Sequence, residues 1–554
     1  MFEILNRLKK NPAFLSRILI ASLFVNLLAL ATPIYVIQVL QRYIAYGVTS
    51  TLITLVAGVI VISIFEFLFK NIRHRMAREL EPINTELANQ VMTKLGSIKT
   101  SFYAFNKQFR SDIITTHVQS IQQTLTATTT LVIIDLPFSL IFIIATFLIH
   151  YQLGLIVVGF LLLPFLINYL YSSRIYGSIN KITSISMNTA RIYDNMSSRN
   201  TSVRYFNLQS IINKTWDLIL SQFISFREAA EKNKNLLSSS LALISTFTTI
   251  VIIGWGAILA VDGQISVGAL IGANILAARA ILPSIKFIQT LEPIKKAESS
   301  LKEVEAILNF PSEKIQGSKI ENFSAKILIK DLFFQYPRTK NPVFESLNCE
   351  VEAGEVAVII GSNGSGKSTL IKSIAGILDF NRGQIFYDDL EINQLSLNWI
   401  RENLTYLPQE PKFVDGRLLD NIIGAKEINK SFFNEVLKRS DLENFINIHP
   451  DGINMNLENR GENLPLGIRK RVALARSLMV NGKLFLYDEP TAGLDDKGKN
   501  CIYRIIEEVK KSNVTMFVST SDKKIIEKAS LLINLDSKPK PEIIKDYNKR
   551  STKK

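Results

Sequence analysis

The chain has 554 residues, 47% of them hydrophobic, with mean hydropathy +0.18 and a formal net charge of +15 from 64 Lys+Arg against 49 Asp+Glu. That length allows several domains, and that apolar fraction is high for a soluble enzyme and points to a membrane. The basic excess fits cytoplasmic loops facing anionic lipid rather than a nucleic-acid surface, and two cysteines, Cys349 and Cys501, are too few for a disulfide framework or a zinc site.

The apolar residues concentrate before about residue 290. Six stretches there are long enough to cross a bilayer: Ile18–Leu40, Leu52–Phe69, Thr130–Ile149, Leu153–Tyr171, Leu237–Val261 and Val267–Phe287. The first is too long, and too closely followed by the second, for a cleaved signal peptide. Basic residues sort by loop. The N-terminus carries Arg7, Lys9, Lys10 and Arg17; the second-to-third connection carries Arg73, Arg75, Arg78, Lys94, Lys99, Lys107 and Arg110; the fourth-to-fifth carries nine more, from Arg174 to Lys234. The other loops are short and nearly free of them, Arg42 excepted. This places both termini and both long loops in the cytoplasm. The long loops keep helical periodicity with few breakers, so the spans are expected to continue well below the membrane. Within the spans, Glu66 and Asp135 are the carboxylates; Asp135, followed by Pro137, reads as a helix-packing or interfacial group rather than a proton relay.

From about residue 310 the pattern changes to short strands, glycine turns and amphipathic helices, an α/β domain. Tyr336 is placed either to stack on an adenine or to pack as a strand aromatic. The apolar run Val356–Ile360 leads into Gly361, Ser362, Asn363, Gly364, Ser365, Gly366, Lys367, Ser368 and Thr369, which fits the phosphate-binding loop Gly-x-x-x-x-Gly-Lys-[Ser/Thr]. Its glycines let backbone N–H groups and a helix N-terminus face a polyanion, with Lys367 reaching the β- and γ-phosphates of ATP and Ser368 ligating Mg²⁺. Gln409 follows a short strand and offers a neutral oxygen to Mg²⁺ or to water. Leu484–Glu489 reads as a buried strand ending in two acids, Asp488 on the metal side and Glu489 as general base. Adjacent carboxylates in an apolar place are costly without a cation, which argues against a purely structural pair. Asp495 stands on a turn just beyond. The basic run from Lys538-Pro-Lys-Pro541 to Lys554 reads as a solvated tail.

In that order these elements resemble the ATP-binding cassette exporters over essentially the whole length: A-loop, Walker A, Q-loop, signature, Walker B and D-loop. The resemblance implies an exporter-type six-helix transmembrane domain followed by an α/β P-loop nucleotide-binding domain. Its limits are a cytosolic N-terminus at 1–17, permease at 18–300, linker at 301–324, cassette domain at 325–540 and tail at 541–554. It implies a half-transporter that pairs with a second half, so that two ATP molecules are sandwiched between the two nucleotide domains. Within the family the permease is similar to type I protein-secretion exporters through Ala29–Tyr35 with Gln38–Arg42, through Asp135–Phe142, and through Ser266–Ile271 with Ala277–Pro283. That likeness implies an inner-membrane location, a periplasmic adaptor, an outer-membrane channel and an unfolded protein substrate with a C-terminal signal. No room is left before the first span for the peptidase-like domain of some relatives.

Two positions depart from the family. The signature Leu-Ser-Gly-Gly-Gln aligns with Leu464-Pro-Leu-Gly-Ile468, where only Leu464 and Gly467 survive. Pro465 removes a hydroxyl and a donor, and Leu466 adds bulk where backbone must approach phosphate. The switch histidine after the strand Val514–Ser519 is replaced by Thr520, and none of the four histidines is near it. ATP binding with slowed hydrolysis is the expectation. The functions in order are protein export, export of a lipid, drug or peptide by the same architecture, and a regulatory half whose nucleotide site acts as a clamp.

Overall fold

The computed structural model describes residues 12–47, 49–79, 81–105, 111–313, 316–337, 339–424, 427 and 429–545. Arg7, Lys9, Lys10, Lys107 and Arg110 of the basic pattern, and the tail from residue 546, lie outside the described residues. The chain forms two compact units, residues 1–94 with 110–309, and residues 95–109 with 310–554.

The first unit is helical. Its elements are α1 (Pro12–Leu28), α2 (Ala31–Gln38, continued by a π-turn at Val39–Ile44), α3 (Thr49–Arg78), α4 (Pro82–Ser97), α6 (Ser111–Thr124), α7 (Ala127–Ile149), α8 (Tyr151–Ser198), α9 (Asn200–Tyr205), α10 (Gln209–Val261) and α11 (Val267–Leu308); α5 (Thr100–Phe105) falls in the second unit. Among the described residues six helices are long and apolar enough to cross a membrane, each containing one of the expected spans. α8 and α10 carry on far past their apolar stretches, as the periodicity of the long loop between them implied, and α11 also runs on past its span to Leu308.

Local chemistry sets the ends. Thr126 caps α7 by accepting from Thr129 N–H, and Ser266 caps α11 by accepting from Ala269 N–H at 3.1 Å. α11 lies hard against α2, where a Cβ on Gly272 would stand 2.3 Å from Ile37 Cγ1, so glycine is required there. Below the apolar layer His117 is buried, with Nδ1 3.1 Å from Ser300 Oγ on α11. Burial lowers its pKa beneath the ordinary 6.5, and Glu303 opposes that. A lowered histidine favours the neutral ring when folded, so its contribution is complete above pH 6.5 and lost as pH falls through the folded value. The expected result is a melting temperature that declines on acidification from pH 6.5, with a shallower decline in His117→Gln, measured by thermal scans of purified protein.

The second unit is α/β. Its strands are β1 (Ile327–Phe334), β2 (Phe344–Val351), β3 (Val356–Ile360), β4 (Arg382–Tyr387), β5 (Leu390–Glu391), β6 (Leu404–Leu407), β7 (Gly416–Arg417), β8 (Asn456–Leu457), β9 (Leu484–Asp488), β10 (Thr515–Ser519), β11 (Leu531–Asn534) and β12 (Glu542–Lys545). Its helices after α5 are α12 (Lys367–Ile374), α13 (Leu397–Asn403), α14 (Leu418–Ile423), α15 (Lys430–Arg439), α16 (Glu443–Ile448), α17 (Leu466–Leu478), α18 (Asp496–Lys511) and α19 (Lys523–Ile526). An antiparallel sheet β2-β1-β4-β5 accompanies a six-stranded sheet, β12-β11-β3-β10-β9-β6, parallel except for the β12 edge. β3, β9 and β10 are buried on both faces, as a parallel sheet requires, which is why β3 is apolar throughout and β9 and β10 are apolar but for Asp488, Thr515 and Ser519 at their ends.

Two stretches differ from the sequence expectation. The Lys538–Lys545 run is not a solvated tail: β12 pairs antiparallel with β11, Ile543 opposite Ile533. Residues 95–105, from a loop between two spans, belong to the second unit, where Lys99 pairs with Asp379 at 3.2 Å and Ser101 Oγ donates to the same carboxylate at 2.8 Å.

Candidate functional site

Parallel pairing decides where the site falls. β10 lies between β3 and β9, with Ser519 opposite Ile359 on one side and Asp488 on the other. The carboxyl ends of the three strands therefore deliver the loop after Ile360, the acids at 488 and 489, and Thr520 to one edge of the sheet. A ligand site at such an edge is the general rule for parallel α/β sheets.

After β3 the chain turns through Gly361, Gly364 and Gly366, all at positive φ (152°, 83° and 109°), and α12 begins at Lys367. Gly366 caps that helix in the left-handed region, and a Cβ there would sit 2.1 Å from Val343 Cγ1. Lys367 is 8% exposed; its Nζ donates to the Gly361 carbonyl at 2.8 Å and lies 3.4 Å from Glu489 Oε1. Ser362, Asn363 and Gly364 are exposed at the loop's crest, and Ser368 is partly buried on the first turn of α12. The Ser365 hydroxyl is buried and, among the described residues, has no hydrogen-bond partner. An orphaned hydroxyl, glycine backbone and an enclosed ammonium at a helix N-terminus fit a polyphosphate.

The acids are held from the neighbouring strand. Asp488 is 1% exposed and accepts from Ser519 Oγ at 2.5 Å. Glu489 N–H donates to the Ser519 carbonyl at 3.0 Å and to Ser519 Oγ at 3.1 Å, which holds Glu489 at φ 46°. A non-glycine residue in that region stores strain, and such strain tends to collect at functional sites. A buried carboxylate with one hydroxyl partner keeps lone pairs to spare, the donor chemistry a hard divalent cation needs, with the Ser368 hydroxyl and Gln409 as neutral oxygens. Gln409 is exposed, two residues past β6, which pairs with β9.

Other expected residues are placed as follows. The Tyr336 hydroxyl shares a 2.8 Å hydrogen bond with Thr369 Oγ1, and its ring packs edge-on to Phe334. That occupies the Thr369 hydroxyl with a protein partner. Leu464 is buried, and Pro465, with ψ 145°, is the N-cap of α17, which starts without a side-chain cap. Leu466 is 46% exposed, and Gly467 has open space where a Cβ would lie. Asp495 caps α18 by accepting from Gly498 N–H at 2.9 Å, and both its oxygens accept from Arg471. Arg471 holds its pKa below the ordinary carboxylate range, with the Gly498 amide adding to this. Thr520 is fully buried; its N–H donates to the Ile359 carbonyl, and its hydroxyl accepts from Asp522 N–H at 3.0 Å.

Three contributors were not visible in the sequence. Asp536 accepts from both N–H and Oγ of Ser362, at 2.8 and 2.7 Å. Lys538 Nζ donates to the Ser365 carbonyl at 2.8 Å and to the Val343 carbonyl. Lys470 is buried behind the acids, donating to the carbonyls of Ala492 and Glu489; burial lowers its pKa against the upward pull of Glu489, Asp488 and Glu410. Asp536 and Lys538 follow β11, whose pairing beside β3 no local pattern reveals, whereas Lys470 comes from α17. Lys538→Met removes both a support of the phosphate loop and a nearby cation, so ATP affinity is expected to fall about three- to tenfold by nucleotide titration.

A family described as ABC transporter matches residues 344–492, and one described as ABC transporter transmembrane region matches residues 15–282. The alpha-hemolysin translocation ATP-binding protein HlyB of Escherichia coli O157:H7 is 25% identical over 538 residues, 95% of this chain and 75% of its own. The toxin RTX-I translocation ATP-binding protein of Actinobacillus pleuropneumoniae is 25% identical over 510 residues, 90% of this chain and 71% of its own. A solved structure of a bacterial Atm1-family ABC exporter with ATP bound superposes with a TM-score of 0.81 at 19% identity, covering 98% of this chain and 97% of that one.

Proposed function

We propose, for a chain that belongs to the ATP-binding cassette transporters, that it exports unfolded polypeptide as the inner-membrane half-transporter of a type I secretion system. Membership makes it an ATP-binding, multi-pass membrane protein whose ATP hydrolysis drives transport. The observation that carries the site is the convergence of Lys367, Asp488 and Glu489 on one sheet edge, with the Lys367 ammonium 3.4 Å from Glu489. The finer reading rests on relatives that are toxin-translocation proteins and on the permease motifs around Asp135.

In this reading Lys367 exchanges the Gly361 carbonyl for the β- and γ-phosphates, and Tyr336 flanks the adenine. Ser368, Gln409 and Asp488 would hold Mg²⁺, which supplies charge neutralisation at the phosphates when bound. Glu489 takes the proton of the attacking water as the water oxygen bonds to the γ-phosphorus and the bond from that phosphorus to the β–γ bridging oxygen breaks, releasing ADP and phosphate. Leu464 and Gly467 of one half face the nucleotide of the other, with Asp495 and Thr520 beside it. Pro465 and Leu466 favour a second reading, in which the chain is the weakly hydrolysing half of a heterodimer.

Crosslinking in the native membrane, followed by identification of the captured proteins, tests the proposal. A periplasmic adaptor and a long secreted protein are expected. Capture of a dissimilar half-transporter supports the heterodimer, and ATPase stimulation by small amphiphiles without any adaptor overturns protein export.

A further inference from the structure

The first unit contains a cavity of about 360 Å³ between α1, α3, α7 and α11 whose polar wall is charged. Four cations face it, Lys70, Arg73, Arg279 and Lys286, against two carboxylates, Glu66 and Asp135, with His74 beside them. Both carboxylates are already engaged. Arg73 grips Asp135 with two nitrogens, at 2.5 and 3.3 Å, and Lys70 pairs with Glu66 at 2.5 Å. Among the described residues Arg279 reaches only the Thr32 hydroxyl, at 3.5 Å, and neither Arg279 nor Lys286 pairs with a carboxylate. Arg73 itself is 8% exposed and, among the described residues, its Nε has no partner. The wall thus holds two cations in excess and an orphaned guanidinium N–H.

Depth tells what kind of anion this suits. At 1.5 Å per residue Arg279 lies roughly 18 Å, and Lys286 roughly 29 Å, along α11 from its outer end. Asp135 lies roughly 21 Å along α7 from Ile149. Against a hydrocarbon layer about 30 Å thick, the cluster runs from beyond mid-depth to the cytoplasmic boundary. Uncompensated charge at that depth is costly and marks a pathway rather than packing. A resting lipid phosphate stays at the boundary, whereas Arg279 is far inside it, so the anion it meets is one in transit.

We infer that this cavity is a binding station for acidic side chains of the transported polypeptide, with Arg279 and Lys286 as the free cations and Arg73 as a fixed donor. The inference rests on the protein-export reading. Arg279 and Lys286 are two helical turns apart on one face, a vertical pair past which a carboxylate can be handed on. Glu66 and Asp135 limit the net positive charge, so that binding is strong enough to admit the group and weak enough to release it.

The test uses the full chain in nanodiscs of zwitterionic lipid and a fluorescent peptide of repeating Gly-Glu, compared with its Gly-Gln counterpart. The Glu peptide is expected to bind about tenfold more tightly than the Gln peptide, and the Arg279→Gln/Lys286→Gln variant to lose that preference. Arg279→Lys/Lys286→Arg, which keeps both charges, should retain it and serves as the folding control. Equal binding of both peptides by the unaltered chain overturns the station while leaving polypeptide export standing. Binding of neither peptide overturns the export reading and the station together. Competition confined to phosphatidylglycerol, dependent on the same two cations, overturns the polypeptide occupant in favour of lipid.

Discussion

Replacing Glu489 with glutamine will lower ATP turnover about 10²- to 10⁴-fold, the range a positioned general base supplies, while ATP affinity holds or tightens. The substitution is nearly isosteric, and the backbone that places residue 489 is fixed by two donations from its own N–H to Ser519, so the strained turn persists. What is lost is the carboxylate that accepts the proton, together with its ion pair to Lys367 at 3.4 Å. Freed from that pair, the Lys367 ammonium has only the Gly361 and Ser362 carbonyls to leave when phosphate arrives, which is why affinity should not fall. Phosphate-release kinetics and nucleotide titration on purified protein measure the two effects separately. Turnover equal to that of the unaltered chain would mean this site does not hydrolyse ATP.

The phosphate loop and the acidic strand end were legible because their chemistry is local: glycines at set spacing, a lysine, and two acids after an apolar run. The six spans were legible for a similar reason, since hydrocarbon imposes length and composition on each. Legibility stopped where chemistry depends on pairing between distant strands. Asp536 reaches Ser362 across 174 residues only because β11 pairs in parallel with β3. Thr369 fitted the loop pattern, but its hydroxyl is taken by Tyr336, 33 residues earlier and just past the end of β1. Arg73 looked like one more loop cation; buried on α3 against Asp135, it is part of the bundle's interior. Likewise nothing in residues 95–105 distinguished a stretch that belongs to the second unit from the helices flanking it.

Restoring the signature, with Pro465→Ser, Leu466→Gly and Ile468→Gln together, will raise ATP turnover by at least about tenfold, since a single well-placed donor at a developing oxyanion is worth that much or more. The structure explains why this can be done without disturbing the fold. Pro465 is the N-cap of α17 and offers no side-chain acceptor; serine there caps the first-turn amides, a gain of about 1 kcal/mol. Glycine at 466, the first helical position, costs at most about 1 kcal/mol, so the two offset. Leu466 contributes little packing to lose, being 46% exposed, and its Cδ2 crowds the Gly493 turn at 3.1 Å from where a Cβ would stand. Removing it opens the backbone at 466 beside Gly467, where nothing lies within 4 Å of the Cβ position. The melting temperature should therefore stay nearly constant while turnover rises, and a rise confined to variants that also carry intact Glu489 would place the gain at the composite site. If turnover does not move, the step limited by this chain lies elsewhere, and Thr520, whose buried hydroxyl is committed to Asp522 N–H, becomes the position to change to histidine.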